Sequence, residues 1–139
     1  LKYGLFRESL YSLTLEGSSG QAKIKESIEN LRKKDLIGLK VGDRTVISVF
    51  DYGTLTTKGK AKPTALKKMP KSNVIQLELT GEAKLTIRPS GTEPKVKIYS
   101  SFRTKEIVKK DSEIPKAWIN LGTEIVNAEK EFLKLAGLL

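Results

Sequence analysis

The chain has 139 residues, near the usual size of a single domain, and it contains neither Cys nor His. Disulfides, thiol nucleophiles, Ser–His–Asp triads and His-ligated zinc are therefore excluded within it. The formal net charge of +10 favours anionic partners, although a lysine-rich solvated surface would have the same charge.

The N-terminal segment has the features of a connection between domains. The chain begins with Leu1 rather than Met, which predicts a piece of a longer protein. Residues 1–8 are predicted to be the end of an interdomain linker, and residues 9–139 are predicted to form the domain itself. A short strand over residues 11–15 is expected first, because apolar and polar residues alternate there.

A turn and a helix are predicted after this strand. Ile24, Ile28 and Leu31 fall at i, i+4 and i+7, which places one apolar stripe along a helix. Ser18 and Gln21 have the spacing of a capping box, in which each side chain binds a backbone amide of the first turn. The helix is therefore expected to begin at this turn.

The middle of the chain is predicted to be rich in strands. Residues 45–52 form a nearly continuous apolar run of β type. Residues 53–73 contain six Lys and are predicted to be a long mobile loop or an irregular insertion. Three alternating segments follow and predict an antiparallel meander with one buried face: Ile75, Leu77 and Leu79; Leu85 and Ile87; and Val96 and Ile98.

A second helix is predicted at the C-terminus, with Pro115 in its first turn. Its core-facing stripe is expected to consist of residues that step by three and four: Trp118, Leu121, Ile125, Ala128, Phe132 and Leu135. The complete order of elements, β-α-β-β-β-β-α, predicts an α+β domain with helices on one face of an antiparallel sheet.

The segment from Arg88 to Lys97, Arg-Pro-Ser-Gly-Thr-Glu-Pro-Lys-Val-Lys, carries the chemistry. It joins two predicted strands. Arg88 has a planar fork suited to two phosphate oxygens, and Ser90 and Thr92 offer hydroxyl donors. Gly91 allows an anion to approach the backbone closely, and Lys97 can supply a second cation. An anion-binding loop is therefore one interpretation of the segment.

A plain β-hairpin loop is the alternative interpretation, since Pro, Gly and Ser are ordinary turn residues. Glu93 complicates the anion interpretation, because it places a negative charge in the loop. We therefore expect its side chain to point away from the ligand or to pair with a lysine.

The same segment closely resembles the phosphate-binding loop of the α-D-phosphohexomutases, the phosphoglucomutase and phosphomannomutase group. Residues 69–74 and 11–20 also resemble the C-terminal domain of that family, so that the resemblance covers nearly the whole chain. It implies an α+β fold similar to the TATA-box-binding protein. It further implies that the substrate phosphate is bound by Arg88, Ser90, Gly91 and Thr92, with Lys97 as an additional cation.

The resemblance also implies a role for the parent enzyme, an isomerase that transfers phosphate between C1 and C6 of a hexose. This domain would hold the phosphate that is not reacting. Mg²⁺, a sugar bisphosphate activator and a cytoplasmic location are implied for the parent. The implied partners are glucose or mannose phosphates and the upstream domains of the same polypeptide.

Three motifs of that family are missing from this chain: the phosphoserine motif, the magnesium loop and the sugar-specificity loop. Glu16 to Gly20 is superficially similar to the last of these, but its Glu–Gly order is reversed. No catalytic residue and no metal ligand is therefore assigned here, and the chain alone is expected to be inactive. Which sugar the parent prefers is left open.

Two other functions are compatible with parts of the sequence. A nucleic-acid-binding module fits the net charge and the lysines of residues 58–71. The predicted sheet lacks an exposed aromatic pair for stacking bases, so we expect no nucleic-acid partner. A complete small enzyme is disfavoured by the absence of His. A membrane partner is not expected either, since no apolar run approaches the roughly 20 residues of a span.

Overall fold

The computed structural model describes residues 4–139, so the first part of the predicted linker, residues 1–3, lies outside the described residues. The described residues form seven strands, two α-helices and one short 3-10 helix, which confirms the α+β class. In chain order these are β1 (Phe6–Thr14), α1 (Gly20–Lys33), β2 (Lys40–Val41), β3 (Arg44–Asp51), β4 (Thr56–Gly59), β5 (Ile75–Leu79), β6 (Ala83–Pro89), β7 (Lys95–Arg103), the 3-10 turn (Asp111–Glu113) and α2 (Ile114–Leu135).

All the strands belong to one antiparallel sheet. Their spatial order is β1-β7-β6-β5-β3-β2, and β4 also pairs with β3. The predicted meander is confirmed as β5, β6 and β7, which pair in succession. The first strand of the chain pairs with the last, because β1 lies along the whole length of β7.

Both helices cover the same face of the sheet, as the sequence predicts. Alternate residues of β5, β6 and β7 are buried, and they share one core with the buried faces of α1 and α2. The predicted stripe of α1 is fully inside this core. Burial of each large aliphatic side chain contributes roughly 1.5–3 kcal/mol, so this shared layer is the main source of stability.

The beginning of the domain differs from the prediction. β1 begins at Phe6 and takes in Phe6–Glu8, which were assigned to the linker. The strand is longer because β7 continues to Arg103, which pairs with Phe6 and so extends the ladder. The predicted capping box is wrong. Ser19 is the N-cap and makes no capping bond through its side chain, and Gln21 binds a distant loop instead.

Residues 53–73 are more regular than predicted. They contain β4, and their turns are closed by backbone hydrogen bonds from Ala65, Lys67 and Met69 to carbonyls three residues earlier. Leu66 is buried beneath these turns. The segment is therefore not wholly irregular, because one apolar side chain and a strand pairing anchor it, and the long mobile loop stays a prediction. All six of its lysines are exposed.

Trp118 is not part of the core, contrary to the prediction for α2. It is 43% exposed, whereas Leu121, Ile125, Ala128 and Phe132 of the same stripe are buried. The first turn of α2 lies beside the edge strand β1, and Arg7 of that strand is its neighbour. The Arg7 guanidinium lies 4.7 Å from the ring centre of Trp118 and donates to its carbonyl at 2.7 Å. A cation thus occupies the place that an apolar partner would take.

A buried arginine at the start of β3 was not predicted from the sequence. Arg44 is only 1% exposed, and its guanidinium stacks at 4.9 Å on the ring of Phe102. Its donors bind the carboxylate of Glu124 and the carbonyl oxygens of Thr80, Gly81 and Arg103. One side chain therefore joins β3, the β5–β6 turn, the end of β7 and helix α2.

A second buried polar pair links α2 to the sheet. Ser100 donates to Glu129 at 2.7 Å, and both side chains are buried. Burial raises the pKa of Glu129 above its ordinary 4.5, while the bond from Ser100 acts in the opposite direction. In the unfolded chain Glu129 has its ordinary pKa, so it ionises at a lower pH there than in the folded chain. The free energy of unfolding therefore falls as the pH rises above 4.5.

Glu129→Gln should therefore gain stability relative to the original chain as the pH is raised from 4.5, because its amide never ionises and still accepts from Ser100. Urea unfolding at a series of pH values measures the difference. Glu26→Gln, at an exposed position of α1, serves as the control for the change in net charge. A difference that does not change with pH would contradict this account of Glu129.

No helix within residues 4–139 is both long enough and apolar enough to span a bilayer.

Candidate functional site

The segment from Arg88 to Lys97 forms the β6–β7 hairpin and its loop. The two strands pair residue by residue to the loop, with Arg88 opposite Lys97 and Pro89 opposite Val96. The Ser90 amide donates to the Lys95 carbonyl at 2.8 Å and closes the loop. Val96 is buried against the helices, so its neighbours in the strand face outward. The hairpin therefore presents its cations on the open face of the sheet.

Arg88 and Lys97 are directly opposite each other on that open face. Like charges in such a pair repel each other and destabilise the sheet. Among residues 4–139, neither side chain forms an ion pair. An anion placed between them would relieve the repulsion, so this pair has the electrostatic character of an anion site.

The loop's carboxylate does not neutralise that pair. Glu93 is exposed, and its carboxylate lies 3.8 Å from the Lys95 ammonium. The prediction that Glu93 turns away or pairs with a lysine is confirmed. Arg88 and Lys97 are left available for a ligand.

The Ser90 hydroxyl is held by the backbone of its own loop. It accepts hydrogen bonds from the Thr92 amide at 3.4 Å and from the Glu93 amide at 3.2 Å. A hydroxyl has two acceptor lone pairs and one proton. With both lone pairs engaged, Ser90 can act toward a ligand only as a donor, which suits a phosphate oxygen.

Gly91 is not required by the geometry of the loop. Its φ lies outside the left-handed region, and a Cβ built on it would meet nothing within 4 Å in the described part of the chain. The fold would therefore tolerate a side chain here. What glycine provides is open space next to the backbone, which an approaching ligand can use.

These residues line a groove of about 520 Å³ that runs from the loop onto the open sheet. Its walls are formed by Arg88, Pro89, Ser90, Gly91, Glu93, Lys95, Lys97 and Tyr99. Thr92 is exposed and is not among these lining residues. Tyr99 was not predicted as a site residue, although its position two residues after Lys97 places it on the same face of β7. The structure thus brings four of the five predicted residues into one groove.

The chain is similar in sequence to phosphoglucomutases of two staphylococci. Over 102 residues, 71% of its length, it is 37% identical to the phosphoglucomutase of Staphylococcus epidermidis strain ATCC 35984. Over 104 residues, 72% of its length, it is 38% identical to the phosphoglucomutase of Staphylococcus aureus strain MRSA252. No family model matches the chain.

Over about seven tenths of its length the chain is therefore similar to phosphoglucomutases. It spans 18% of the length of the curated relatives that it matches. The family resemblance drawn from the hairpin segment is thereby confirmed.

Helix α1 is docked against the loop. The Leu15 amide donates to the Pro94 carbonyl at 2.9 Å. A Cβ on Gly20 would lie 2.7 Å from the Leu15 carbonyl oxygen and 3.1 Å from Cβ of Pro94. Glycine is therefore needed where α1 begins, because the helix, β1 and the loop meet there. No local sequence pattern predicts this contact, and the spacing of Gln21 predicted a capping box instead.

Proposed function

We propose that this chain is the C-terminal domain of a phosphoglucomutase or phosphomannomutase, and that it binds the non-reacting phosphate of a phosphosugar. The observation that carries the proposal is the unneutralised pair of Arg88 and Lys97 beside a loop whose Ser90 hydroxyl can only donate. The relatedness to phosphoglucomutases gives that anion site its substrate class.

In this proposal, Arg88 forms a forked contact with two phosphate oxygens and Lys97 adds a second charge. The Ser90 hydroxyl donates a hydrogen bond to the phosphate, and the backbone at Gly91 and Thr92 completes the phosphate site. Binding at the distal phosphate orients the far end of the sugar for reaction. Because the hexose intermediate must present either phosphate, a site that contacts phosphate rather than sugar suits both orientations.

In this proposal, upstream domains of the same polypeptide carry out the reaction. Phosphoryl transfer, Mg²⁺ binding, the response to a sugar bisphosphate activator and sugar specificity are assigned there, and the parent is placed in the cytoplasm. The chain alone is proposed to have no mutase activity. We also propose that the antiparallel sheet with two helices on one face is of the TATA-box-binding-protein-like type.

Direct titration of the chain tests this proposal. Glucose 6-phosphate should bind weakly and saturably in isothermal titration calorimetry, and Arg88→Ala should abolish the signal. The affinity should be poor, because the rest of the sugar meets no walls in this domain. A matched control replaces Lys58, Lys60 and Lys62, all exposed, by Ala, and it should bind the sugar phosphate as the original chain does.

A nucleic-acid-binding module predicts a different result from the same experiment. A single-stranded oligonucleotide would bind more tightly than glucose 6-phosphate, with an affinity that falls steeply as salt is added. The triple lysine variant would then lose binding, and Arg88→Ala would not. That outcome would overturn the proposed function.

A further inference from the structure

Gln21 connects helix α1 to the phosphate-binding loop. It is the second residue of the helix, and its side-chain amide donates to the Gly91 carbonyl at 3.1 Å. The two residues are 70 positions apart in the sequence. The contact is therefore a tertiary one, made between a helix and a hairpin that pack beside each other.

This bond fixes the orientation of one peptide plane in the loop. A trans peptide is planar, and its C=O and N–H point in opposite directions; no cis peptide bond occurs in the described chain. Holding the Gly91 carbonyl toward α1 therefore turns the Thr92 amide away from α1. There it lies 3.4 Å from the Ser90 hydroxyl, at the long end of hydrogen-bond distances. Such a weakly engaged amide can share its hydrogen with an anion oxygen in a bifurcated bond, so that Ser90 still accepts from both amides.

The backbone of Gln21 is held in place by contacts of the neighbouring residues. The Leu15 amide binds the Pro94 carbonyl just ahead of the helix, and Gly20 fits closely against both residues. One turn further on, Ile24 is buried in the core. The backbone of Gln21 therefore cannot shift without disturbing the strand, the loop and the core together.

We propose that Gln21 is a positioning residue of the phosphate site, which holds the Gly91–Thr92 peptide with its N–H available to the ligand. This inference rests on the proposed function. Gln21 does not touch the phosphate itself. It acts through the loop backbone and lowers the cost of ordering that backbone when an anion binds.

Inorganic phosphate is the probe for this inference, and the ¹⁵N spectrum of the chain is the readout. Gln21→Met keeps the length and helix preference of the side chain but removes the donor. It should weaken phosphate binding about tenfold, the equivalent of roughly 1.4 kcal/mol, and reduce the phosphate-induced shift of the Thr92 amide. Gln21→Glu should weaken binding further, because its carboxylate cannot donate and repels the anion.

Asn30→Met is the matched control, since it removes an amide side chain from an exposed position of the same helix. It should bind phosphate as the original chain does. All three variants should keep the original thermal unfolding midpoint, because both positions are exposed.

The possible outcomes separate the two proposals. If phosphate shifts the loop amide signals of the original chain and Gln21→Met binds phosphate equally well, the inference about Gln21 is wrong and the phosphate site stands. If the original chain shows no phosphate-induced shift in residues 88–97, the proposed function fails and this inference fails with it.

Discussion

Arg44→Met is expected to lower the free energy of unfolding by about 3–5 kcal/mol, the cost typical of breaking a buried ion pair from one side. Glu124 would keep its charge without its partner, and the carbonyls of Thr80, Gly81 and Arg103 would lose a donor. Whole domains are stable by only about 5–15 kcal/mol. Urea unfolding of the variant should therefore show a large loss, and expression of folded protein should fall.

Two further variants make this test specific. Lys84→Met removes a cation from an exposed position of β6 and should change the unfolding free energy little. Combining Arg44→Met with Glu124→Leu removes both charges and should recover part of the loss, because no carboxylate is then left without a partner. If the free energy of unfolding of the single variant falls by less than about 1 kcal/mol, the contacts that Arg44 makes with the β5–β6 turn, β7 and α2 do not stabilise the fold as expected.

Arg88→Ala, made in the complete parent enzyme, is expected to reduce kcat/KM by roughly tenfold to a thousandfold. The guanidinium supplies charge-assisted hydrogen bonds to the distal phosphate in the proposed function. Arg88→Lys should recover only part of the activity, because an ammonium cannot form the planar fork. Steady-state kinetics with glucose 1-phosphate as the substrate provides the measurement.

Stability should change little in the same variant, because Arg88 is exposed on the open face of the sheet. Removing it even relieves the repulsion from Lys97. Lys84→Ala, on the same strand and the same face, should leave kcat/KM unchanged. A badly destabilised protein with normal kinetics would mean that Arg88 is structural and that the phosphate loop is wrongly assigned.

Regular hydrophobic spacing predicted much of this fold, because an element that buries one face needs apolar residues at regular positions along it. Alternation fixed the inward side of β5, β6 and β7, and the three-and-four spacing fixed the core stripe of α1. Spacing alone does not say where an element passes the edge of its partner. Trp118 continues the stripe of α2 and yet lies against Arg7 of the edge strand.

The candidate site was predictable as far as its residues lie in one segment. Arg88, Ser90, Gly91 and Lys97 meet because a hairpin brings them together. Contacts between distant segments left no local pattern. Arg44 resembles a surface cation until Glu124, far along the chain, is placed beside it.

Gln21 shows the same limitation in the site itself. Its side chain is suited to a helix cap by spacing, and only the docking of α1 on the hairpin places the Gly91 carbonyl within its reach. Tyr99 lines the groove for a local reason instead, because its position two residues after Lys97 places it on the same face of β7.

The most direct test of the phosphate site is a residue-by-residue map of glucose 6-phosphate binding in the ¹⁵N spectrum of this chain. For a phosphate site on the β6–β7 hairpin, we expect saturable shifts confined to the amides of residues 88–99 and of the beginning of α1, and their loss in Arg88→Ala. Shifts that instead follow the exposed lysines of residues 58–71, and persist in Arg88→Ala, would contradict it.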